Sequence, residues 1–174
     1  MNRSTLRLPL AALSLALLAG CVVNISFSLT RPVSFVAPGA GTRSDITQDF
    51  SILDSKEVAD HKANIKTIDL EYADVTVTTP NVGQALVNAT LKLQRTSGGS
   101  IQEVTLGTLS NFDLGTTSHN RFPGSPAIDA FLMAVLNGDG KFTAVVTGLS
   151  ISNAANAVVT VDMHASIGYD AGIL

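Results

Sequence analysis

Cysteine occurs once in these 174 residues, at Cys21, so no disulfide can form within the chain and no paired-cysteine metal site is available. The three histidines, His61, His119 and His164, are far apart and share no ligand spacing. Neither His-Glu-x-x-His nor Gly-x-Ser-x-Gly is present, which removes the usual signatures of zinc and serine-hydrolase chemistry. No metal and no cofactor is therefore expected. Basic clusters are missing as well: 11 lysines and arginines stand against 14 acidic residues. That balance disfavours nucleic acid, and disfavours electrostatic attachment to anionic lipid. A long apolar run is also lacking. Residues 8–18 are apolar, but a spanning helix needs about 20 residues, and a run of 10 to 14 fits the apolar centre of an export signal better. No internal repeat and no second domain is visible.

What is present begins at the N-terminus. Arg3 and Arg7 precede the apolar run, no acidic residue occurs before Asp45, and small residues close the run. A basic start, a short apolar stretch and a small-residue end describe an export signal. Leu18-Ala19-Gly20-Cys21 resembles the lipobox of bacterial lipoproteins, in which a cysteine is lipidated and becomes residue one of the mature chain. The resemblance implies that residues 1–20 are removed and that Cys21 carries a diacylglyceryl thioether and an acylated amine. It implies a bacterial cell envelope as the location and the membrane as a partner, reached through the lipid. Val22 follows the cysteine where an aspartate would resemble an inner-membrane retention signal, so the outer membrane is expected over the inner. Two or more acyl chains anchor stably where one does so only marginally.

Removing residues 1–20 from the 174-residue chain leaves 154, one domain's worth and long enough to bury a core without disulfides. Strand patterns dominate residues 21–174. Ile25, Phe27 and Leu29 alternate with Asn24, Ser26, Ser28 and Thr30, which puts the two sets on opposite faces. Ala85, Val87, Ala89, Leu91 and Leu93 alternate in the same way, as do Val159, Val161, Met163, Ala165, Ile167 and Tyr169. One apolar and one polar face is the mark of antiparallel sheet. Residues 65–79 change phase, with Ile68, Leu70 and Tyr72 on even positions but Val75 and Val77 on odd ones. A bulge near Ala73-Asp74 or two separate strands would account for it. Ser97-Gly98-Gly99-Ser100 predicts a hairpin between strands at 85–95 and 101–109. A further strand is expected at 142–146, and a turn-rich link at 151–157.

One helix is expected at about 125–137. Ser125 suits the cap, Pro126 the first turn and Gly138 the position after the end. Ile128, Phe131, Leu132, Val135 and Leu136 make one apolar stripe between them. A second helical turn at 55–63 has little apolar content and reads as a surface connection, and the polar stretch from Pro38 to Asp49 reads as a loop. The expected fold is mainly β, an antiparallel β-sandwich or open barrel with one packed helix.

Candidate chemistry is sparse, and no residue is assigned a catalytic role. Residues 115–124 form the most suggestive loop, holding Ser118, His119, Asn120 and Arg121 just before a helix N-terminus, where backbone N–H groups and the dipole favour anions. Asp162, His164 and Ser166 share one face of the last strand and read either as an acid–base row or as a solvated surface. Asn137-Gly138-Asp139-Gly140 has the look of a calcium loop, but Val135 and Val146 fall where the outer ligands would have to be. The sequons at Asn24 and Asn88 both fall on strand positions. The first strand is expected from about Asn24, three residues beyond Cys21, a reach of only ~10 Å that would hold the domain against the lipid head groups. The leading expectation is a membrane-anchored, non-enzymatic binding or structural module for an envelope protein. The alternatives are a hydrolase-like enzyme using the 115–124 loop, and a carrier with an apolar-ligand pocket under the 125–137 helix.

Overall fold

The computed structural model describes residues 22–170. Cys21 and the signal segment lie outside the described residues. The chain runs through β1 (Val22–Ala37), β2 (Gly41–Thr42), β3 (Ile46–Ser51), α1 (Lys56–His61), β4 (Ile65–Thr79), β5 (Leu86–Ser97), β6 (Ser100–Asp113), β7 (His119–Pro123), α2 (Pro126–Leu136), β8 (Lys141–Ile151) and β9 (Ala155–Asp170). One sheet has the order β1-β9-β4-β7. The other has the order β2-β8-β5-β6, with β3 also paired to β8. The pairings are antiparallel, and the two sheets pack face to face as a sandwich, not an open barrel.

The alternating strands supply the core. Phe27, Leu29, Val33 and Phe35 of β1 point inward, as do Val159, Val161, Met163, Ala165 and Ile167 of β9. Leu91 and Leu93 of β5 and Leu149 and Ile151 of β8 meet them from the other sheet. Ser97 to Ser100 forms the expected hairpin turn, with φ of 58° at Gly98 and 79° at Gly99. Two successive positive φ values belong to the tight hairpin turns whose twist matches that of the strands.

The phase change in β4 is a bulge within one strand, placed at Glu71 and not at Ala73-Asp74. Leu70 pairs with Ala165 and Tyr72 with His164, leaving Glu71 as the extra residue. Inward positions therefore pass from Ile68 and Leu70 to Ala73, Val75 and Val77, all at most 3% exposed. The bulge is secured from outside the sheet. The Asp129 carboxylate of α2 accepts the Leu70 N–H at 2.9 Å, and Gly124 N–H donates to the Glu71 carbonyl at 3.2 Å. A bulge disrupts the ladder, and these bonds fill the gap it leaves.

Helix α2 follows its signals, with the Ser125 hydroxyl accepting from Ile128 N–H and Pro126 in the first turn. Its stripe (Ile128, Phe131, Leu132, Val135 and Leu136) is buried against β4, β6 and β8.

Four expectations are corrected. Residues 38–49 are not all loop: β2 and β3 pair with β8, and Gln48 interrupts the apolar face of β3 between Ile46 and Phe50, hiding its alternation. The link after β8 shrinks to residues 152–154. The turn at 55–63 contributes to the core, because Val58 is 0% exposed. Part of the 115–124 loop is strand β7, paired to β4 through Tyr72↔Pro123 to Thr76↔His119.

Arg31 is the exception on the inward face of β1. Its guanidinium pairs with Asp54 and lies 5.9 Å from the Phe50 ring centre. Sitting at the rim where β1 meets β3, it places a charge at an otherwise open sheet edge, and Pro32 beside it removes a donor. Both devices deter edge-to-edge pairing with other chains.

Candidate functional site

The bulge in β4 decides what the outer face of the first sheet displays. With Glu71 inserted, Tyr72, Asp74 and Thr76 all point outward beside Asp162 and His164 of β9. Asp74 and Asp162 are direct cross-strand partners, an arrangement that like charges make unfavourable unless each is compensated.

Each is compensated from the strand on its far side. Arg121 of β7 grips Asp74 with two parallel bonds, Nε to Oδ1 at 2.8 Å and Nη2 to Oδ2 at 2.7 Å. His119 Nε2 lies 3.0 Å from the same carboxylate. Asp162 accepts from the Thr30 hydroxyl of β1 at 2.7 Å and meets His164 Nε2 at 2.8 Å. Tyr72 joins the halves: its ring is tilted against His164 at 4.5 Å, and the Arg121 guanidinium carbon sits 3.7 Å from its centre. Bidentate geometry and cation–π contact both favour arginine at this position.

The hydrogen bonds from Arg121 are the main reason the Asp74 carboxyl titrates below its ordinary range, with His119 adding to the effect and burial opposing it. A depressed folded-state pKa gives stability that is present above the unfolded carboxylate pKa and is lost as pH falls through the folded value. Arg121→Ala removes the main cause, so acid unfolding followed by circular dichroism is expected to begin at a higher pH than in the parent protein. An unchanged acid limb would show that the pair contributes nothing to stability.

The four residues of the expected binding loop therefore separate. His119 and Arg121 face outward onto Asp74, whereas Asn120 is half-buried beside the buried Phe122 on the opposite side of β7. Ser118 stays in the turn, its carbonyl accepting Val77 N–H at 2.9 Å and its hydroxyl 2.8 Å from that of Thr116. The loop reading failed because β7 has little apolar content besides Phe122, and its partner Asp74 lies 47 residues away in sequence. Asp162 and His164 were visible as a pair on one strand face. Asp74, Tyr72 and Thr30 were not, since only the sheet order brings them there.

Chemically this is a hydrogen-bonded polar surface. His119 and His164 each direct Nε2 to a carboxylate, and among the described residues no serine hydroxyl bonds to either ring. Among the described residues no group of three or more His, Cys, Asp and Glu is placed to hold a metal ion. Their helices include none long and apolar enough to cross a membrane.

Concavities among the described residues lie elsewhere, including open ones of about 530 Å³ beside Lys62 and Gly138 and about 320 Å³ beside Arg43 and Leu149. One of about 430 Å³ with a mixed lining sits over the stacked Phe50–Phe142 pair, with Asp49, Asp54 and Lys141 at its walls. An apolar one between the sheets, lined by Val33, Leu91, Leu106, Val146 and Val161 among others, measures only about 20 Å³. That is close to the space one water needs, too little for an acyl chain. The stripe of α2 is occupied by the core itself, which removes the basis for expecting a carrier pocket beneath it.

No family model matches this sequence, and no curated protein matches it. Among solved structures, the chain resembles one of Desmodium yellow mottle tymovirus at 9% identity and a TM-score of 0.35, covering 99% of this chain and 98% of that one. A structure of turnip yellow mosaic virus at 100 K is similar at 13% identity and a TM-score of 0.30, over 86% of this chain and 98% of that one. A semi-empty virus-like particle of the giant freshwater prawn (Macrobrachium rosenbergii) nodavirus gives 9% identity and a TM-score of 0.34, covering 100% and 96% respectively. Likeness at this level carries no argument about what this chain does.

Proposed function

We propose that this protein is a lipoprotein of a bacterial envelope, anchored through acyl chains on Cys21 and resident in the outer membrane. In this reading it serves there as a non-enzymatic binding or structural module for an envelope protein. The observation that supports it best is the start of β1. Val22 already pairs with Asp170, so the sandwich begins one peptide bond after the cysteine of the lipobox-like tetrapeptide. The first strand thus starts two residues earlier than its alternation suggested, and no flexible linker separates lipid from domain. A domain joined in this way stays at the head groups, which suits a surface module and not one that reaches across the envelope. The hydrogen-bonded carboxylates on the outer face suit contact with a polar partner surface, where carboxylates without partners would be costly to bury.

The test is the chemistry of Cys21. Mass spectrometry of the mature N-terminal peptide is expected to show acylated Cys21 as residue one, with the protein in the membrane fraction. Cys21→Ala is expected to lose the acyl groups and leave an unprocessed precursor. An unmodified Cys21 in the mature parent protein would overturn the reading.

A further inference from the structure

The sandwich has two different ends, and the start of β1 marks one of them. The end of β9 lies there, through Val22↔Asp170, and so does the start of β4, through Ile65↔Tyr169. His61, at the end of α1, stacks on Tyr169 at 4.1 Å. The next residue, Lys62, reaches the Gly138 carbonyl beyond α2 at 3.4 Å. Arg95 of β5 in turn bonds the Ala134 carbonyl of α2 and Gln102 of β6. An unbroken series of contacts thus joins Val22 to the β5–β6 hairpin, so both belong to one end.

Five large apolar residues are exposed among the described residues, and three of them are here. Val22 is 61% exposed, Val23 36% and Ile101 68%. Ile101 sits beside the hairpin turn, opposite Thr96. The valines open β1, at one lateral edge of the sandwich, whereas Ile101 lies on β6, which packs beside β7 at the other edge. Three strand spacings, or about 15 Å, separate the two edges. Lys62 and Lys66, both exposed, lie at the same end beside the exposed Asp60 and Asp139, so the contact with lipid rests on the apolar residues and not on net charge.

We infer that this end docks on the lipid bilayer, with Val22 and Val23 at one edge and Ile101 at the other as two apolar contact points that hold the sandwich upright. The inference rests on the proposed acylation of Cys21, which supplies the attachment but not the orientation. A single point of attachment would let the domain lie over on either sheet. The outer face of the first sheet carries Asp74, Asp162, Arg121 and two histidines, a poor surface to press into head groups. Two apolar points across the width oppose that tilt. The opposite end then faces away, carrying Val36 at 70% and Val82 at 100% exposure. The turn bearing Val82 is held by the Asn81 side chain, which bonds the carbonyls of Gly83 and Ala154 and accepts Asn156 N–H. A 16-residue β1 spans about 50 Å, which sets the height of that far end.

Ile101→Cys and Val82→Cys test the orientation, because acylation of Cys21 leaves the engineered cysteine as the sole thiol. Each lipidated variant is labelled with an environment-sensitive fluorophore and reconstituted into phosphatidylethanolamine–phosphatidylglycerol vesicles, with and without nitroxide-labelled lipid. The Ile101 label is expected to lose most of its emission to the nitroxide, and the Val82 label to keep its own. Equal quenching at both positions, or stronger quenching at Val82, overturns the inference while leaving the anchor intact. Mass spectrometry of the same samples separates the cases: unacylated Cys21 overturns the anchor and the orientation together.

Discussion

Gly124→Ala is expected to cost more than about 4 kcal/mol and to leave little folded protein, a loss of the size reserved for a specific structural conflict. A Cβ at Gly124 would lie 1.5 Å from the Leu70 carbonyl oxygen and 2.6 Å from its carbon. Those are backbone atoms, so no rotamer change relieves the overlap. Leu70 cannot retreat either, because its N–H is held by Asp129 and its side chain is 1% exposed. The conflict falls on the Glu71 bulge, which fixes the phase of β4 and therefore which of its residues are inside. Urea denaturation measures the loss. Gly39→Ala is the control, since nothing lies within 4 Å of a Cβ there and a change of no more than about 0.5 kcal/mol is expected. A Gly124→Ala protein as stable as Gly39→Ala would mean that β7 and α2 do not close over the bulge as described.

Leu132→Ala is expected to destabilise the domain by about 2–5 kcal/mol, the range for removing a buried leucine and leaving a cavity. Leu132 is 2% exposed at the centre of the α2 stripe. The denaturation midpoint should fall while the dependence on denaturant stays the same, because unfolding exposes nearly the same surface. A loss below about 0.5 kcal/mol would mean that the stripe is not part of the core, since surface substitutions stay within that range. The idea of an apolar-ligand groove under the helix would then reopen.

Much of the sandwich was legible because its strands carry two-residue alternation and its helix carries both caps and a stripe. β9 shows it best: five apolar residues from Val159 to Ile167 sit on odd positions, and each is at most 7% exposed. β3 and β7 were missed for a common physical reason. Both are short edge strands with few inward apolar residues, Ile46 and Phe50 in one and Phe122 in the other. Such strands owe their existence to hydrogen bonds with β8 and β4, and local composition carries no trace of a distant partner. The bulge was expected from the phase change, but its position was not. Either Glu71 or a residue a step later restores the apolar face, and the Asp129 and Gly124 bonds that select Glu71 come from elements more than fifty residues on.

The candidate site divides in the same way. His164 and Asp162 are two residues apart on one strand, so their shared face follows from strand geometry alone. Arg121 and Asp74 meet only because β7 returns to pair with β4, and Thr30 meets Asp162 only because β1 flanks β9.

By itself, then, the sequence determined the strands with regular alternation, the capped helix, and the absence of any disulfide, because these depend on neighbours within a turn or two of chain. Its single cysteine also stood out without any structure. The tertiary structure decided which edges pair, where β4 changes phase, and that two facing aspartates are each held by a cation or hydroxyl from the next strand. It also decided that Val22 is already strand and that Ile101 lies at the same end. These are long-range facts, set by which chain segments come to lie side by side, and no local pattern encodes them.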